Sequence, residues 1–67
     1  MIADVDAYRA AELLIDQHGE EAAETLAIRR VDFFLEEGDT LAAAVWSQIL
    51  VAMEELRRRM PEGEAAN

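Results

Sequence analysis

Apolar residues recur along this chain in steps of three and four, and no stretch alternates them in steps of two. That period belongs to the α-helix, in which 3.6 residues per turn return a side chain to the same face after three or four positions. Breaks at Gly19 and at Gly38-Asp39-Thr40 divide the periodic stretch, and the single proline, Pro61, closes it. The pattern predicts three helices, at about 4–18, 20–37 and 40–60.

In helix 1, Ala7, Tyr8, Ala11, Leu14, Ile15 and His18 project onto one stripe, with Arg9, Glu12 and Asp16 opposite. Asp4 is the expected cap for its free amides, and Gly19 the stop. Helix 2 has a wide apolar arc of Ala23, Leu26, Ala27, Val31, Phe33, Phe34 and Leu35, with Ile28 at one edge. An arc that wide implies two neighbours, so helix 2 is expected to be central. Helix 3, capped by Asp39 or Thr40, carries the stripe Ala42, Val45, Trp46, Ile49, Met53, Leu56 and Met60. Arg57, Arg58 and Arg59 fall in its last turn, where cations offset the negative end of the helix dipole.

Short connections make sequential helices antiparallel. The expected fold is therefore an all-α three-helix bundle, with one helical domain over 1–60 and a disordered tail over 61–67. Helix 1 is shorter than the other two. Either the bundle closes, or a long helix 2–3 hairpin carries helix 1 against one end and leaves apolar surface that calls for a second copy. The expected core comprises Tyr8, Leu14, Leu26, Phe33, Phe34, Trp46, Ile49, Met53 and Leu56.

Composition narrows the means of stabilisation. Sixty-seven residues form one small domain, and small cores usually need a staple. The chain has no cysteine, which removes disulfides and thiol chemistry, and its single histidine, His18, makes a structural zinc site from one chain improbable. Regular helix packing and self-association remain.

Fifteen carboxylates against six arginines, with no lysine, give a net charge of −9. Such a surface repels nucleic-acid phosphates and anionic lipid headgroups, so neither is an expected partner. No apolar run approaches the roughly 20 residues of a membrane span, and the first residues lack a signal peptide's basic start. The expected location is the cytoplasm.

Candidate chemistry is sparse. His18 is the only side chain whose ordinary pKa lies near neutrality, but a histidine in a last helical turn is explained by the dipole. No Glu-x-x-His pair of the kind that builds di-iron bundles is present, and Glu36, Glu37 and Asp39 match no calcium loop. No catalytic, cofactor-binding or metal-binding residue is expected. Arg30 is the oddity, because it projects into the apolar arc of helix 2 and must snorkel, find a carboxylate or serve an interface. Leu13 and Val51 are apolar residues on otherwise polar faces, and with Arg30 they are the candidate interface residues.

The segments from Tyr8-Arg9-Ala10-Ala11 through His18-Gly19, the Gly38-Asp39 turn, and Ala44-Val45-Trp46 leading to Glu54-Glu55-Leu56 resemble a group of small uncharacterised bacterial proteins, chiefly alphaproteobacterial. The resemblance covers most of residues 5–59 and implies a helical fold; that group has no assigned activity, so it implies no function. The residues themselves favour a non-enzymatic protein–protein interaction module that forms a homodimer, with its helices packed into a larger bundle. Two alternatives stand beside it. One is an acidic inhibitor or antitoxin-like regulator of a basic protein partner; the other is a metal-binding or enzymatic bundle using His18 and carboxylates across subunits.

Overall fold

The computed structural model describes residues 1–59, and three helices account for most of them: α1 over Asp4–His18, α2 over Glu20–Glu36 and α3 over Thr40–Arg59. Met60, expected on the helix 3 stripe, and the tail 61–67, expected to be disordered, lie outside the described residues. There is no strand among the described residues, and no described helix is long and apolar enough to cross a membrane.

Glycine sets both turns. Gly19 (φ 86) ends α1 by donating its N–H to Ile15 O at 2.7 Å, and its own carbonyl accepts from Ala23 N–H at 2.9 Å. One residue thus reverses the chain, in a backbone region closed to L side chains. The second turn is a Schellman motif. Gly38 (φ 79) donates to Leu35 O at 3.1 Å, and Asp39 N–H donates to Phe34 O at 2.8 Å. Asp39 then opens α3, its Oδ1 accepting from Ala42 N–H at 3.0 Å. The cap expected at Asp4 is displaced. Ala3 holds the N-cap position without a side-chain hydrogen bond, and Asp4 is the first helical residue.

Side-chain pairs across the helices fix their directions. Ile2 meets Gln48 and Tyr8 meets Glu55, so α1 runs parallel to α3. Arg57 meets Glu24 and Arg30 meets Trp46, so α2 runs antiparallel to α3. The bundle is up-down-up. Contact of α3 with each of the other two helices is more extensive than their contact with each other, so α3, not α2, is the central helix.

The shared core is built on alanine. Ala7 and Ala11 of α1, Ala23 and Ala27 of α2, and Ala52 of α3 are buried, with Ile49 and Met53 the only larger side chains fully inside that cluster. Small residues let helix axes approach at the short end of the usual 8–10 Å spacing. Tyr8, Leu14, Trp46 and Leu56 pack around this centre half-buried, whereas Leu26 on α2, also half-buried, lies outside that shell. No buried side-chain nitrogen or oxygen lacks a partner among the described residues.

Three expectations for the buried stripes fail. Phe33 is 51% exposed and Leu35 55% exposed, and His18 is exposed at the end of α1. On α2 the inward line is the buried Ala23 and Ala27, continued by the half-buried Val31 and Phe34; at about 100° per residue, Phe33 and Leu35 project well to either side of it. Both also lie beyond the N-terminal end of α1, where among the described residues only α2 and α3 remain to bury them.

Substituting the alanine seam tests this packing. Ala27→Leu is expected to lower stability by about 1–3 kcal/mol through overpacking, although leucine is nearly as good a helix former. The same change at exposed Ala22 should stay within about 0.5 kcal/mol. Urea denaturation of both variants makes the comparison. Trp46→Ala should cost about 3 kcal/mol, and an unchanged thermal melt would remove Trp46 from the packed shell.

Candidate interaction surface

The register of α1 is held at its first residues. Gln48 Nε2 donates to Ile2 O at 2.6 Å, while Ile2 N–H donates back to Gln48 Oε1 at 3.3 Å. This reciprocal amide pair ties the start of the chain to the middle of α3. Helix α1 begins at Asp4, next to the Ile2–Gln48 pair, so α3 from Thr40 to Val45, and α2 beyond Arg30, extend past α1. The overhang is about 9 Å long at 1.5 Å per residue.

The overhang is apolar and thinly covered. Phe33, Leu35 and Leu41 are 51%, 55% and 63% exposed, and Val31, Phe34, Ala44 and Val45 are half-buried. Ala43 alone is buried there, and it lies outside the main core cluster. Phe33 leans on Phe34 edge to face, with ring centroids 5.1 Å apart at 76°. The three helices share one core, as expected of a three-helix bundle, and α1 covers only part of the α2–α3 pair.

Arg30 stands where the three-helix part gives way to the overhang. It is exposed, and its guanidinium carbon lies 6.0 Å from the Trp46 ring centroid. The guanidinium covers the indole face, a contact worth about 0.5–1 kcal/mol at an exposed site. The sole ion pair among the described residues is Arg57–Glu24 at 3.2 Å, so Arg30 has no carboxylate partner within them. Leu13 and Val51, 57% and 60% exposed, do not form one patch. Val51 borders a hollow between α1 and α3 beside Tyr8 and Gln48, whereas Leu13 lies outside it and projects opposite Ala11.

Two other places hold polar groups. His18 lines an open depression at the α1–α2 turn with Thr25 and Arg29. Among the described residues no group of three or more His, Cys, Asp or Glu is arranged to hold a metal ion. Between α1 and α3, Tyr8 O–H donates to Glu55, and the Arg59 guanidinium lies 5.9 Å from the Tyr8 ring centroid. The hydrogen bond to Glu55 holds the Tyr8 phenol above its ordinary pKa of 10.0, with desolvation and the Glu55 charge adding to the shift and Arg59 opposing it.

Comparison of the chain with protein-family models, with curated proteins and with solved structures found no match.

Tyr8 is the only tyrosine, so phenolate absorbance reports on it directly. Its folded pKa is raised, so its stabilising contribution is complete below the unfolded value near 10.0 and is lost as pH rises through the folded value. The phenolate should therefore appear at higher pH in the native protein than in denaturant. Glu55→Ala should bring the native titration down toward the denatured one.

Proposed function

We propose that this chain is a non-enzymatic helical interaction module that self-associates through the overhanging half of its α2–α3 hairpin. The observation that carries the reading is the trio of exposed apolar side chains, Phe33, Leu35 and Leu41, at the end that α1 leaves bare. Single exposed apolar residues are ordinary. Three on one short two-helix projection, with Phe33 and Leu35 on opposite flanks of α2, are different, because such a pair buries too little to be self-sufficient and gains by adding helices. A second copy supplies them in a matching geometry, which favours a larger helical bundle built from two chains. The cysteine-free composition fits a cytoplasmic setting for such a module.

Sedimentation equilibrium at neutral pH tests the reading. The expected result is a concentration-dependent dimer, and Phe33→Asp should weaken it at least about tenfold by placing a carboxylate in the apolar contact. Because Phe33 is half-exposed, helical circular dichroism should persist in that variant. A wild-type chain that stays monomeric would overturn the proposal.

A further inference from the structure

We infer that two copies meet α2 against α2, antiparallel, about a two-fold axis at Phe33, with Arg29 and Arg30 of each chain facing Glu36 and Glu37 of the other. The inference rests on the self-association proposed above and specifies its geometry.

The charge pattern is symmetric about Phe33. Projected at about 100° per residue, Arg29 and Glu36 fall about 40° and 60° to one side of Phe33, and Arg30 and Glu37 about 60° and 40° to the other. Glu37 keeps this placement because its backbone remains right-handed helical (φ −78, ψ −7). Each arginine precedes a glutamate by seven residues, two turns along the same flank. In an antiparallel isologous pair, residues equally far before and after the axis on the same flank come face to face. Both charge pairs are centred within half a residue of Phe33, so Arg29 opposes Glu36 and Arg30 opposes Glu37 in both directions across the seam.

All four residues are exposed, and among the described residues neither arginine has a carboxylate partner in its own chain. The Trp46 ring, 6.0 Å from the guanidinium carbon, takes up none of the guanidinium's N–H donors in a conventional hydrogen bond, so they stay available to a carboxylate. The seam also meets a general obstacle. Two chains of net charge −9 repel, and α2 has no arginine other than Arg29 and Arg30. A partner unrelated to this chain would need no such symmetry about one residue. A second copy does. The overlap covers roughly residues 29–37 of each chain, the part of α2 that α1 leaves bare, and it places each α1 beyond the other chain's hairpin tip.

Charge exchange tests the seam. One variant carries Arg29→Glu with Arg30→Glu, the other Glu36→Arg with Glu37→Arg, and both are checked for native helical circular dichroism. Each alone should dimerise at least about tenfold more weakly than wild type, since every attraction across the seam becomes a repulsion. Mixed in equal amounts, they should recover a heterodimer at least as tight as the wild-type homodimer. Each exchange alters the charge by two, so the second variant falls from −9 to −5. General repulsion would make that variant associate more tightly, the opposite of what the seam requires. If wild type dimerises but both variants match it, or mixing restores nothing, this geometry is overturned while self-association stands. If wild type is monomeric, both readings fall together.

Discussion

Alanine occupies the points where the three helices come closest, and the rest of the structure follows from that choice. Ala7, Ala11, Ala23, Ala27 and Ala52 bring the backbones near enough that only Ile49 and Met53 fit fully among them. A buried methyl contributes far less than a buried leucine, whose full burial is worth about 1.5–3 kcal/mol. The larger side chains must then do their work at the rim. Tyr8, Leu14, Trp46 and Leu56 close over the alanine centre without being enclosed by it. Close packing gains regularity and dispersion contacts while giving up hydrophobic area. A chain stabilised in that way gains much from any further surface it can bury.

Length decides where that surface lies. The fifteen residues of α1 match only part of the twenty of α3, and the Ile2–Gln48 amide pair fixes which part. Had α1 started opposite Thr40, it would cover Leu41 and Val45 and leave the Arg57 end bare. Instead Tyr8 engages Glu55 and Arg59 near the end of α3, and the apolar deficit falls at the Gly38 turn. Polar contacts between α1 and α3 thus select the register, and the register selects the exposed end. Their individual energies are small, since exposed ion pairs and polar contacts are each worth about a kilocalorie or less. Their influence comes from deciding between registers that apolar packing alone would leave close in energy.

Much of this was legible in the sequence because helices announce themselves locally. The 3.6-residue period, the positive-φ glycines and the Asp39 cap each need only a few neighbouring residues, and all three appear as expected. Ala7, Ala11, Ala23 and Ala27 were also on the expected stripes. What the pattern could not supply was depth. Phe33 and Leu35 are as apolar as any core residue, and a helical projection treats them as members of one wide arc. Whether an arc is covered depends on how far the neighbouring helix reaches, which is set by the pairing of Ile2 with Gln48 across 46 positions of sequence. The same non-local fact moved α3 into the centre in place of α2. Arg30 was recognised as anomalous from its position, but its stacking on Trp46 depends on the antiparallel register of α2 and α3.

Arg30 also links the two halves of the molecule. Its guanidinium covers the indole at the open end of the three-helix core, and its position on α2 places it at the edge of the overhang. Lysine would satisfy neither demand as well, because an ammonium lacks the flat face that stacks and the fixed edge that donates to a carboxylate. An arginine with no carboxylate partner among the described residues of its own chain, three residues before an exposed phenylalanine and seven before a glutamate, fits the proposed pairing. The same residues become mutually consistent when α2 is paired with an antiparallel copy of itself, since one operation then covers the ring and gives each charge an opposite.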